Sequence, residues 1–178
     1  RQFGKFMITI FDEWVCQDVG KVFVQLFDVT LANWMGVPPG LCAFDETCGE
    51  AAVLEHNGDL YSCDHFVYPE FKLGNILDSS LSEMMGSVRQ IEFGKKKRDT
   101  LPRQCLTCTY RFACHGGCPK SRIAETTDGQ SGLNWLCEGY LAFFEHVKPY
   151  MDYMANELTN NRPPANVMRF ASEKMKNR

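Results

Sequence analysis

The residues of this chain best suited to chemistry are its cysteines, nine in 178 residues, at positions 16, 42, 48, 63, 105, 108, 114, 118 and 137. Eight of them fall into an ordered series: Cys42-x5-Cys48-x14-Cys63, then Cys105-x2-Cys108-x5-Cys114-x3-Cys118, then Cys137. Thiolate sulfur binds soft metal centres, and eight sulfurs make two sets of four, the number a closed [4Fe–4S] cluster requires. Zn²⁺ also accepts four thiolates, so spacing alone leaves zinc open. Two features favour iron–sulfur: the first group spans a loop and a hairpin, which makes a roomy site, and Gly116-Gly117 lets backbone approach a bulky group. Cysteine is too sparse for a small disulfide scaffold, and the odd count with no export signal suits a reducing, cytoplasmic compartment.

Other titratable groups are weighed against this series. His65 and His115 adjoin cysteines, but eight thiolates already complete two sites, so both read as packing or supporting residues. Cys16 stands apart and reads as a small buried apolar residue. Asp64 follows Cys63 at a strand end; local sequence reads it as a turn aspartate capping backbone N–H groups, with general-base catalysis as the alternative.

The remaining sequence must position these groups. The formal net charge is −3 and 44% of residues are hydrophobic, which allows a real core and offers no general attraction for nucleic acid or anionic membrane. No stretch approaches the ~20 apolar residues of a membrane span. Lys95-Lys96-Lys97-Arg98, the one basic block, reads as a solvated loop. Residues 5–10 are expected as a strand, followed by a helix capped by Asp18, with apolar positions Val19, Val22, Phe23, Leu26, Phe27, Leu31 and Trp34, and stopped at Gly36. Asn57-Gly58 between strand-like runs predicts a hairpin with both residues at positive φ. Ser80 and Glu83 form a capping-box pattern opening a helix over 79–93, and Pro119 suits the start of a short helix. A broad apolar stripe (Leu136, Tyr140, Phe143, Phe144, Val147, Tyr150, Met151, Met154 and Leu158) predicts a long helix from about 134 to 158, with Pro149 kinking it. Residues 161–178 read as a polar tail. The expected class is α+β: a small β-hairpin and cysteine-knuckle cluster-binding unit with flanking helices.

The cysteine series resembles the SPASM domain of radical S-adenosylmethionine (SAM) enzymes. The segments Asn57-Gly-Asp-Leu-Tyr-Ser-Cys-Asp-His-Phe-Val-Tyr-Pro-Glu70, Leu73-Gly-Asn-Ile76, Cys114-His-Gly-Gly-Cys-Pro-Lys120, Val22-Phe-Val-Gln25 and Leu133-Asn-Trp-Leu-Cys-Glu-Gly-Tyr140 are similar to the anaerobic sulfatase-maturating enzymes, and the likeness runs to about residue 155. That family oxidises a sulfatase cysteine or serine to Cα-formylglycine. The resemblance implies that Cys42, Cys48, Cys63 and Cys118 hold one auxiliary [4Fe–4S] cluster and Cys105, Cys108, Cys114 and Cys137 a second. It implies that Asp64 is the base, which reverses the local reading, and that the clusters relay an electron.

The Cys-x3-Cys-x2-Cys motif that binds the SAM-cleaving cluster is absent: three residues beyond Cys118 stands Ser121. The expectation is therefore a fragment, inactive alone, with a third cluster and SAM carried on a missing N-terminal part. On the resemblance, residues 1–36 are the end of a partial (β/α) barrel, 37–140 the SPASM domain and 141–160 a C-terminal helix. The expected partner is a sulfatase polypeptide, with self-association through apolar helix faces that lose the barrel. The alternatives are a SPASM domain of another peptide maturase, or a zinc-binding protein-interaction module.

Overall fold

A computed structural model describes residues 1–176. Its helices in chain order are α1 (Gln2–Gln17), α2 (Gln25–Trp34), α3 (Leu81–Met85), α4 (Val88–Asp99), α5 (Arg103–Leu106), α6 (Arg111–Cys114), α7 (Cys137–Thr159) and α8 (Val167–Lys176). Its strands are β1 (Val53–Leu54), β2 (Asp59–Tyr61), β3 (Lys72–Asn75), β4 (Ala124–Glu125) and β5 (Ser131–Leu133). The first three form an antiparallel sheet in the order β1-β2-β3, and the last two a separate antiparallel pair. No helix among the described residues is long and apolar enough to cross a membrane.

The segment expected as a strand over 5–10 is instead the middle of α1. A six-residue window shows the β-branched run Ile8-Thr9-Ile10 but misses the longer period. The buried positions Gly4, Met7, Phe11, Trp14 and Val15 recur at three- and four-residue steps, which places them on one helical face. Asp18 closes this helix, its N–H bonding to the Trp14 carbonyl at 2.9 Å. The expected following helix therefore starts late, at Gln25, after a turn in which Gly20 has φ +80°. Val22 and Phe23 are exposed in that turn, while Phe27 is fully buried on the helix.

The long C-terminal stripe forms α7 as expected, continuous through Pro149. Phe143, Phe144, Val147, Tyr150, Met151 and Met154 are buried within it. Phe11 of α1 sits at its centre, with ring centroids 5.1 Å from Phe27, 5.6 Å from Tyr150 and 6.0 Å from Phe143. The helices α1 and α7 approach backbone to backbone: a Cβ on Gly4 would lie 2.6 Å from the Gly139 carbonyl oxygen. The expected polar tail is corrected by α8, whose Val167 and Ala171 are fully buried against the same core. Apolar residues at 167, 168, 170, 171 and 175 supply that helix with a sparse but sufficient stripe. The last two residues of the predicted tail lie outside the described residues. The apolar faces of α1, α2 and α7 are thus largely covered within the chain.

The predicted helix over 79–93 is two helices. Ser80 and Glu83 make the reciprocal capping box of α3, and Ser87 breaks the run to cap α4, its Oγ accepting from Gln90 N–H at 3.3 Å. The Asn57-Gly58 hairpin forms, but with a four-residue loop. Gly58 donates to the Glu55 carbonyl at 2.9 Å, and of the two turn residues Gly58 alone has positive φ, +87°. The wider loop removes the need for a second left-handed residue.

Candidate metal-cluster site

The eight cysteines of the series gather into two groups. Cys105, Cys108, Cys114 and Cys137 line one cavity of about 300 Å³, together with Gln104, Tyr110 and Tyr140. Cys42 and Cys48 line a second, of about 440 Å³. Cys118 adds its charge to those of Cys42 and Cys48, and Cys63 feels Cys118 in turn. Cys114 and Cys137 feel Cys105 and Cys108. Cys118 is therefore placed with the hairpin cysteines although it is three residues beyond Cys114, which faces the other group.

That division is built into the turn between them. His115, Gly116 and Gly117 have φ of +47°, +73° and +65°. Three successive left-handed residues reverse the chain, and two are glycine because a β-carbon is disfavoured there. A Cβ on Gly117 would also overlap the Asn134 amide, and one on Gly116 would overlap Leu101 and Arg122. Around this turn, α5 supplies Cys105, α6 ends on Cys114, and α7 begins on Cys137.

The other group is stitched to one face of α4. Its residues Gln90, Gly94 and Lys97 are buried, spaced at i, i+4 and i+7. The Gly94 carbonyl accepts from the Cys48 N–H at 3.3 Å, and a Cβ at Gly94 would overlap the Cys48 carbonyl. Gln90 Nε2 donates to the carbonyls of Gly49 at 2.5 Å and Ser62 at 3.1 Å. This joins the loop after Cys48 to the strand end before Cys63. Lys97 Nζ donates to the Cys42 carbonyl at 2.6 Å and to that of Asp45. Asn33 of α2 holds both groups to the helical core, donating to the carbonyls of Phe44 at 2.9 Å and Ala113 at 3.0 Å.

The basic block over 95–98 is thus not a solvated loop: it is the last turn of α4, and Lys97 is fully buried. Burial pulls the Lys97 ammonium down to about 8. Lys97 and Arg122 are the two groups that residue typing missed. Lys97 could have been found from its register with Gln90 and Gly94 on one helical face. Arg122 carries no sequence signal. Its guanidinium is bonded to four backbone carbonyls in and around the turn.

Burial raises the thiols of both groups: Cys63 is pushed up to about 11 and Cys114 to about 12. As free thiols they are neutral near pH 7, so ligation must displace protons. The donor set is all sulfur, which fits a soft metal centre. A cavity of about 300 Å³ beside four thiols has room for a group of many atoms, since one water needs about 10–15 Å³.

Asp64 begins the short 3-10 turn after β2, exposed, with Oδ1 accepting from the Cys63 thiol at 3.2 Å. That hydrogen bond, and then the His65 charge, hold its carboxyl below the usual range. His65 Nδ1 is 3.4 Å from Cys118 Sγ, and one donor atom each of Cys63, Asp64 and His65 lie within 4.8 Å of one another. His65 thus touches one of the series cysteines, while His115 serves the turn as the left-handed residue closing α6. Cys16 lies against the helical core, 3.3 Å from the Met175 sulfur.

A family model described as an iron–sulfur cluster-binding domain, SPASM, matches residues 42–109. The serine-type anaerobic sulfatase-maturating enzyme of Bacteroides thetaiotaomicron is 58% identical over 168 residues, 94% of this chain and 41% of that protein. The cysteine-type enzyme of Clostridium perfringens is 29% identical over 160 residues, 89% of this chain and 43% of that protein. A solved structure described as native anSMEcpe with bound AdoMet and Cp18Cys peptide superposes with a TM-score of 0.75 at 30% identity, over 88% of this chain and 43% of the other. The chain spans about two fifths of the length of these relatives. With its cysteines in two groups on a matching fold, the chain belongs with the iron–sulfur SPASM domains of the anaerobic sulfatase-maturating enzymes.

Proposed function

We propose that the chain is the auxiliary-cluster part of a radical SAM enzyme that oxidises a sulfatase serine or cysteine to Cα-formylglycine. The observation that supports this most is the sorting of eight cysteines into two groups by a single left-handed turn. On this reading Cys42, Cys48, Cys63 and Cys118 hold one [4Fe–4S] cluster, and Cys105, Cys108, Cys114 and Cys137 the other. Such a cluster, when bound, accepts and passes on a single electron. The size of the thiol-lined cavity favours it over a single zinc ion. SAM and a third cluster belong to a part of the enzyme outside this chain, so the chain alone does not cleave SAM.

Asp64 is the residue of this chain assigned to proton transfer. Its carboxylate is exposed and ionised, so it can approach a polypeptide substrate and take the proton of the target hydroxyl or thiol. The oxidation balances as one hydrogen atom lost from the adjacent carbon to a deoxyadenosyl radical, one proton to Asp64, and one electron to an auxiliary site. Residues 1–36, 37–140 and 141–160 are assigned to barrel end, SPASM domain and closing helix, and a cytoplasmic setting suits the oxygen-sensitive chemistry.

Two measurements test the reading. Anaerobic purification of the chain is expected to yield iron with matching sulfide at two clusters, about eight irons in all. Two zincs without sulfide would overturn it. The enzyme containing this chain is expected to generate an aldehyde in a sulfatase-type peptide, detected by mass spectrometry. Modification without an aldehyde would point to a maturase of another peptide.

A further inference from the structure

The two groups of thiols share a pair of buried cations that hold no carboxylate. Lys97 is fully buried, and its ammonium bonds the carbonyls of Cys42 and Asp45. Arg122 is half-buried, and donates to the carbonyls of Gly116 at 3.1 Å, His115 at 3.0 Å, Gly117 at 3.2 Å and Lys97 at 2.7 Å. Among the described residues neither makes an ion pair within 4.0 Å. The last of those bonds links the two cations into one unit, which spans from the Cys42 loop to the Cys114–Cys118 turn.

We propose that Lys97 and Arg122 form a cationic bridge that sets the electrostatic potential at both thiol groups, Arg122 acting on both and Lys97 on the Cys42–Cys48 group alone. This rests on the reading of the two groups as [4Fe–4S] sites. Burying a cation against neutral carbonyls alone is unfavourable, and nearby negative charge offsets it. Ligated thiolates supply that charge, since a [4Fe–4S] core with four thiolates is anionic. Placement decides which group each cation serves. Arg122 interacts with Cys105 and Cys114 of one group and with Cys118 and Cys48 of the other. Lys97 interacts with Cys48 and Cys42. A fixed positive charge beside a site stabilises its reduced, more negative form. Low local dielectric strengthens that effect, and the net charge and hydrogen bonding around a cluster are what tune its potential. The arrangement therefore raises both potentials while leaving the four thiolates of each site unaltered, so these are positioning residues with an electrostatic role.

The test is anaerobic redox titration of the reconstituted chain, followed by electron paramagnetic resonance, with iron and sulfide content measured alongside. Lys97→Met is expected to lower one of the two midpoint potentials and leave the other in place. Arg122→Gln is expected to lower both. Potentials unchanged in both variants, or any other pattern at full iron content, would overturn the proposal. Should a neutral variant lose iron, Lys97→Arg or Arg122→Lys keeps the charge. Iron restored with unshifted potentials supports the proposal, whereas shifted potentials, or iron lost again, reduce the residue to a structural strut and overturn it. An unaltered chain without any iron–sulfur signal overturns the cluster reading itself, and this proposal with it.

Discussion

Asp64 shows how little a residue's own neighbourhood says about its work. Its neighbours in sequence describe an ordinary turn aspartate, and the fold leaves it exposed at the end of β2 beside Cys63 and His65. Replacing it with asparagine in the longer enzyme removes the base and keeps the shape. Formylglycine production should fall by about 10²–10⁴-fold, with iron content unchanged. Equal loss of iron and product would assign it to structure instead. Glu157 is a residue of the opposite kind, buried at the end of α7 and remote from the thiols. Its carboxylate accepts from Arg162 at 2.6 Å and from Asn166 at 2.5 Å, which holds its pKa below the ordinary 4.5. A carboxyl with a depressed folded pKa adds stability above its unfolded pKa and loses it as pH falls through the folded one. Glu157→Gln should therefore lower Tm at pH 7, with the gap to the parent closing below about pH 4. A gap that stays constant across that range would show that the ion pair adds nothing. The cysteine spacing was legible from the start because ligand chemistry constrains residue type. Arg122 was not, because its partners are backbone carbonyls, and any residue can supply those.

At the scale of elements, glycines set the closest approaches. Gly94→Ala drives a methyl group into the Cys48 carbonyl and should strip iron from the Cys42–Cys48 site while the Cys105–Cys137 site keeps its own. Iron analysis with spectroscopy of the remaining cluster checks this, and full occupancy of both would refute it. At the α1–α7 crossing, Gly4→Ala gains at most about 1 kcal/mol of helix propensity. The methyl group meets the Gly139 backbone, and overpacking of that kind costs about 1–3 kcal/mol. The net effect should be a lower midpoint in denaturant titration with the slope unchanged. The helices themselves were legible in proportion to the length of their apolar period. The 23-residue α7 announced itself, whereas α1 was obscured by a short β-branched run, and α8 by the charged and amide residues around its few apolar positions. The break between α3 and α4 rests on one serine cap, which local pattern alone does not separate from a helical serine.

The whole molecule has two sources of stability. The helices α1, α2, α7 and α8 share one apolar cluster, from Met7 to Ala171, that also takes in Phe44, Tyr110 and Ala113. The loops that carry the cysteines have short strands, single-turn helices and few core residues of their own. Removing metal should therefore act unevenly. Hydrogen exchange after chelation is expected to show lost protection over residues 42–63 and 105–118, with α1 and α7 still protected. Uniform loss would mean that one cooperative unit includes the metal sites. Large exposed side chains remain outside the core, among them Phe23, Ile123 and Trp135, and they are scattered along the chain. The division of labour explains why the sequence was read more securely at its cysteines than at its domain limits. A ligand pattern is local, whereas a core that joins residue 7 to residue 171 emerges only once the chain is closed. The same closure has a consequence for how the protein comes to be assembled. Because one tight turn presents Cys114 to one side and Cys118 to the other, filling either site fixes the last ligand of its neighbour. The second insertion then begins from a chain whose loop-closure entropy has already been spent, so maturation should favour fully loaded molecules over half-loaded ones.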